Sequence, residues 1–161
     1  MKEEKACFGA GCFWGVELLF SKTEGVISAT SGYMGGDEKK YPNPSYEEVC
    51  SDETGYAEVV EVKFNSEKIK YKELVKLFFE NHNPTTLNRQ GPDYGSQYRS
   101  TIFYYDESQK HIAEKMKKEY QDMIGKERTI YTQIVPAVTF FRAEEYHQKY
   151  LEKKGIMSCH I

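Results

Sequence analysis

Cys12 is the residue in this chain whose type and setting most suggest chemistry. It follows Gly9-Ala10-Gly11 and stands at the opening of a predicted helix. A thiolate there faces the unpaired N–H groups of the first helical turn and the positive end of the helix dipole. That setting predicts a thiol pKa below the usual value of about 8.5. A buried, inert cysteine is the plain alternative. Phe13 and Trp14 follow directly; an aromatic pair beside sulfur can cradle an apolar group, or simply pack into a core. Glu58 stands out by alternation. Tyr56, Glu58, Val60, Val62 and Phe64 share one face of a predicted strand, and Glu58 is the acidic member of that otherwise apolar set. A carboxylate facing a core must be paired or protonated, and a protonated buried Glu is a general-acid candidate. Asp93 and Tyr98, in the polar run from Asn88 to Ser100, can hydrogen-bond a small polar substrate. Tyr46, after Pro42-Asn43-Pro44, is either a binding hydroxyl or a packed ring.

These residues need elements to hold them. Residues 6–10 read as a strand running into a turn. From Cys12 a helix follows, with Val16, Leu19 and Phe20 at helical spacing and Gly25 as its breaker. Residues 26–30 read as a second strand, and 31–45 as a long loop rich in Gly and Pro. A strand over 56–64 and a helix over 69–80 come next, then a second irregular stretch over 83–99. A strand over 101–105 leads to an amphipathic helix over 108–124, with Ile112, Met116, Tyr120 and Met123 as its stripe. One or two strands around Pro136 and a short helix over 143–153 complete the chain, with Gly155 as the stop. The pattern predicts an α+β fold: a small mixed sheet with helices packed on it. Residues 1–155 read as one catalytic domain and 156–161 as a flexible C-terminal tail.

Composition excludes several classes. The chain has 161 residues, a formal net charge of -3, 39% hydrophobic and 29% charged residues. That is ordinary for a soluble globular protein able to bury a core without disulfides or metal. No stretch approaches the roughly 20 apolar residues of a membrane span. Mild negative charge argues against a nucleic-acid partner. The first residues, Met-Lys-Glu-Glu-Lys, lack the apolar segment of a signal peptide, which predicts a cytoplasmic protein. Cys7, Cys12, Cys50 and Cys159 include no Cys-x-x-Cys pair and the His residues are scattered, so no metal site is expected. In a reducing compartment these are free thiols. Cys7 and Cys50 read as structural, and His82 and His147 as satisfied residues. The Gly-rich run 32–36 lacks the Gly-Lys-Ser/Thr ending of a phosphate loop. From residue chemistry alone, a cysteine hydrolase with His82 or His147 as base, and an aromatic binding module without chemistry, remain open.

The motif set goes further. Gly11-Cys-Phe-Trp-Gly15 resembles the signature of the A-type peptide methionine sulfoxide reductases. Gly32-Tyr-Met-Gly-Gly36, Pro42 to Cys50, Thr54-Gly-Tyr-Ala-Glu58, Asn88-Arg-Gln-Gly91, Gly95 to Ser100 and Ala143 to Gln148 follow in the family's order. The resemblance implies a two-layer α+β sandwich. It implies reduction of the S epimer of methionine sulfoxide, free or in proteins, to methionine, and hence repair of oxidised proteins. It implies Cys12 as nucleophile passing through a sulfenic acid, and Glu58 as proton donor to the sulfoxide oxygen. Tyr46 and Tyr98 would hydrogen-bond that oxygen, Asp93 would support the site, and Phe13 and Trp14 would take the S-methyl group. No bound cofactor is expected. An external thiol reductant, thioredoxin-like, would regenerate the enzyme. Cys159 is the expected resolving thiol: the four residue steps from Gly155 to it span about 14 Å at most, so the last helix must end near Cys12; direct reduction of Cys12 by an external thiol, or resolution by Cys50 or Cys7 after local movement, is the alternative. The family often has His where this chain has Tyr56, and Asp-Pro where it has Asn83-Pro84.

Overall fold

The computed structural model describes residues 2–155. Cys159 and the expected tail over 156–161 lie outside the described residues.

β1 (Glu3–Ala10), β2 (Val26–Met34) and β3 (Ala57–Asn65) form the middle of a six-stranded sheet. β6 (Ser100–Tyr104), β7 (Gln133–Pro136) and β8 (Phe141–Arg142) extend it in the order β7-β6-β1-β3-β2-β8. All neighbours are antiparallel except β6 and β7, so the sheet is mixed. Residues 130–141 thus hold two strands, and Pro136, which lacks an N–H, ends one on the sheet edge. Between the strands run α1 (Phe13–Ser21), α2 (Tyr46–Cys50), α3 (Tyr71–Glu80), α4 (Glu107–Ile124) and α5 (Tyr150–Lys153). A short hairpin, β4 (Arg89–Gln90) with β5 (Asp93–Tyr94), and 3-10 turns at Ser96–Tyr98 and Glu145–His147 order stretches that lack strong periodicity.

The two faces of β3 settle the layering. Tyr56 and strand residues Val60, Val62 and Phe64 join Phe13, Val16 and Phe20 of α1 and Leu74 and Phe78 of α3 in the main core. Ala57 and Val59 point the other way, into a smaller cluster with Cys7, Met34 and Phe103. The expected α+β sandwich of a mixed sheet with helices on one face is what forms. Alternation put the right residues inward because strand side chains have a period of two.

Three local departures have physical causes. β2 runs to Met34, so residues 31–34 are strand rather than loop. Gly32 is there for close approach: a Cβ would stand 2.4 Å from the Phe140 ring that caps it. On α4, Met123 is 71% exposed, whereas Tyr120 and Ile124 pack on the core; a helical stripe drifts by one position over several turns. The stretch 143–153 is a 3-10 turn and a short helix separated by Lys149, whose φ of 53° breaks any continuous helix.

Candidate active site

Cys12 is the N-cap of α1. Gly11 before it has φ of 94°, a value L side chains rarely adopt, and this left-handed step turns the chain from β1 into the helix. The thiol is half-buried; the N–H groups of Trp14 and Gly15 lie near enough to its sulfur to favour the thiolate, without making a capping hydrogen bond to it. These donors favour the thiolate as the sequence predicts, but burial opposes them more strongly. The thiol is pushed up to about 12, first by burial, then by the Glu58 carboxylate and, more weakly, by Asp93. The expected lowering of the Cys12 pKa is therefore corrected: a first-turn position alone does not make a thiolate when the same turn is packed under other chain segments.

Glu58 meets Cys12 from the sheet. It is 1% exposed. Its Oε1 accepts the backbone N–H of Phe13 at 3.2 Å, tying β3 to the first turn of α1. Its Oε2 is buried without a hydrogen-bond partner among the described residues. Among the described residues no cation pairs with it, and burial pushes its carboxyl up to about 8, with Asp93 adding to the rise and the Phe13 N–H opposing it. At neutral pH it is a neutral acid holding a proton beside Cys12.

The remaining candidates arrive from two loops. Ser45 and Glu48 form a capping box that starts α2 and fixes Tyr46 at its first position. Pro42 and Pro44 before it shorten the choices of the entering chain. Asp93 lies on β5, and Tyr98 ends the turn after Gly95. Asp52 accepts from the backbone N–H of Ser96 at 3.0 Å and from the Ser96 hydroxyl, joining the α2 segment to the Tyr98 loop. The Tyr46 and Tyr98 phenols act on each other, and both feel the Glu58 carboxylate. Burial pushes the Tyr98 phenol up to about 12 and raises that of Tyr46, so both are neutral donors. Cys12, Glu58, Tyr46, Asp93 and Tyr98 thus act on one another, although β1, β3 and two loops supply them.

Phe13 and Trp14 flank the thiol differently. Phe13 is buried, 5.7 Å between centroids from Tyr33 and 6.4 Å from Tyr46. Trp14 is half-buried and stacks on Tyr150 at 3.8 Å. Three residues carry more than the sequence suggested. Cys50 is exposed rather than structural, and its thiol interacts with the Tyr46 hydroxyl and the Gln97 amide. Glu144 accepts from the Tyr33 hydroxyl and the Tyr46 N–H, both at 2.9 Å. Gln148 brackets Ser31 of β2, accepting its N–H at 3.1 Å and donating to its carbonyl at 2.9 Å. No periodic signal marks such long-range polar contacts.

Neither histidine serves as a base for Cys12. His82 is buried at the end of α3, its ring nitrogens engaged by the Phe78 carbonyl and the Ser100 hydroxyl. His147 meets the Trp14 indole. Among the described residues no group of three or more His, Cys, Asp or Glu side chains comes together to hold a metal, and no helix is long and apolar enough to cross a membrane.

Comparisons with known proteins bear on the family of the whole chain. The family described as "Peptide methionine sulfoxide reductase" matches residues 4–161. The "Peptide methionine sulfoxide reductase MsrA" of Acidobacterium capsulatum is 53% identical over 161 residues, covering 98% of this chain and 99% of that protein. The crystal structure of reduced Mxr1 from Saccharomyces cerevisiae superposes with a TM-score of 0.91 at 38% identity, covering 99% of this chain and 90% of that one. The structure of Mxr1 in complex with Trx2 matches with a TM-score of 0.65 at 28% identity, over 92% and 85% of the two chains.

Proposed function

The chain belongs to the peptide methionine sulfoxide reductase family, and we propose that Cys12 and Glu58 carry its reaction. It is an oxidoreductase that reduces the S epimer of methionine sulfoxide, in proteins or free, to methionine. A sulfoxide oxygen leaves poorly unless protonated. Glu58 is the proton source. The observation that carries this reading is a buried, unpartnered carboxyl oxygen beside the N-cap thiol. Cys12 attacks the sulfoxide sulfur while Glu58 delivers its proton to the oxygen. Burial holds the thiol protonated, so its proton leaves as the attack proceeds and returns to the Glu58 carboxylate. The hydroxyl then passes from the substrate sulfur to the Cys12 sulfur as the bond between the two sulfurs breaks, so the thiol and the sulfoxide become a cysteine sulfenic acid and a thioether.

Tyr46 and Tyr98 donate hydrogen bonds to the same oxygen, and Asp93 helps keep Glu58 protonated. Phe13 and Trp14 take the S-methyl group. Cys159 condenses with the sulfenic acid, releasing water and leaving a Cys12–Cys159 disulfide. A thioredoxin-like dithiol then exchanges with that disulfide; the complex of Mxr1 with Trx2 supports this partner. The chemistry draws on an external thiol reductant and on no bound cofactor. Residues 1–155 act as one catalytic domain, with 156–161 as the tail that brings in Cys159. The cytoplasm, whose thiol pool keeps Cys7, Cys12 and Cys50 reduced, suits this cycle.

The test is turnover of resolved S and R methionine sulfoxide with dithiothreitol. Methionine should form from the S epimer alone, and Cys12→Ser should abolish it. Equal use of both epimers, or activity surviving in the Ser variant, overturns the reading.

A further inference from the structure

His147 takes no part in the chemistry above, yet its surroundings are unusual. The ring is 1% exposed. Its Nδ1 accepts the Trp14 indole N–H at 3.0 Å. An indole nitrogen only donates, so Nδ1 must be bare, and the neutral ring carries its hydrogen on Nε2. That Nε2 is buried with no hydrogen-bond partner among the described residues. A phenyl ring would fill the same space without stranding a polar atom. What the imidazole supplies in return is the acceptor for Trp14. The indole is also stacked face-on against Tyr150 at 3.8 Å. One short segment, residues 147–150, therefore fixes both the face and the edge of Trp14.

We propose that His147 is a positioning residue for the substrate pocket: its neutral, Nε2-protonated ring holds the Trp14 indole in the pocket wall, and a proton on Nδ1 releases it. The proposal rests on Trp14 lining the methyl pocket, as argued above. Protonation would set two donors against each other across the 3.0 Å contact. The groups facing the ring are known. α1 presents Phe13 and Trp14, α2 the phenol of Tyr46, and the turn of His147 itself the phenol of Tyr146 and the Glu144 carboxylate. Burial holds the ring below its ordinary range, with Glu144 opposing. Release therefore comes on acidification below about pH 6.5, while Glu58 titrates on the alkaline side.

Trp14 is the single tryptophan of the chain, so its fluorescence reports the pocket wall without turnover. On titration of the wild-type enzyme from about pH 8 to about pH 4.5, the emission should shift to longer wavelength, with acrylamide quenching rising about two-fold or more on loss of one buried hydrogen bond. In His147→Asn, whose Oδ1 reaches the Nδ1 position without titrating, that shift should vanish. His147→Phe should show the released emission at every pH. Its KM for methionine S-sulfoxide at neutral pH should rise about 3- to 10-fold, while the rate of Cys12 oxidation at saturating substrate stays within about two-fold. The Asn variant should restore KM. Emission that does not titrate in the wild type, or titrates equally in the Asn variant, overturns the proposal, as does an unchanged KM in the Phe variant. If the Phe variant does not fold, the Asn variant decides by fluorescence. A wild-type enzyme inactive on the sulfoxide would instead sink the reaction, leaving the fluorescence result to stand or fall by itself.

Discussion

Replacing Glu58 by Gln separates proton donation from every other property of that position. The amide oxygen can still accept the Phe13 N–H that Oε1 accepts at 3.2 Å, and the side chain keeps its shape. What is lost is an acid with a pKa of about 8. Such an acid is about 90% protonated at pH 7, so nearly every wild-type molecule is poised to donate. A positioned general acid contributes roughly 10²–10⁴-fold, or about 3–5 kcal/mol of barrier. Methionine release in a single turnover should therefore slow at least about 100-fold in the variant. Cys12 should remain alkylatable. Its thiol should even ionise more readily at alkaline pH, because a neighbouring carboxylate that raises it is gone. The same substitution has a stability consequence of known sign. The carboxyl of Glu58 rises from an ordinary 4.5 to about 8 on folding, so the native state holds this proton more tightly than the unfolded chain. Its contribution is full below about pH 4.5, is lost as pH rises to about 8, and is flat above. The whole span is on the order of 5 kcal/mol. A non-titrating Gln escapes this loss, so the variant's Tm should gain on that of the wild type as pH goes from about 5 to about 8. A variant that reduces the S-sulfoxide at the wild-type rate, or a Tm difference independent of pH, would refute the assignment of a buried neutral acid.

Two further perturbations probe neighbouring parts of the cycle. Asp93→Asn removes a charge that raises Glu58; the alkaline fall of the single-turnover rate should move to lower pH without reaching the ordinary carboxylate range, since burial is the larger cause, and an unmoved profile would take Asp93 out of the site's electrostatics. With Cys159→Ser, one equivalent of substrate should still give one equivalent of methionine but leave Cys12 as a trappable sulfenic acid; peptide mapping that finds Cys12 in the same disulfide yield as in the wild type would assign resolution to another thiol.

The sequence alone determined the sheet face that carries Glu58, because alternation in a strand has a period of two and one acidic residue breaks an apolar row. It determined that Cys12 opens a helix, because Gly11 and the apolar spacing of α1 are local signals. It carried the identity of the family through an ordered series of motifs. Tertiary structure alone decided the protonation states. The same N–H groups that favour a thiolate at Cys12 are outweighed by burial under chain that arrives from β3 and the Asp93 hairpin. It also decided the pairing of Trp14 with His147: they are 133 positions apart, and no local pattern in either segment points to the other. Local propensity acts over a few residues, whereas desolvation and a buried hydrogen bond depend on everything that packs around an atom, and only the folded chain brings that together.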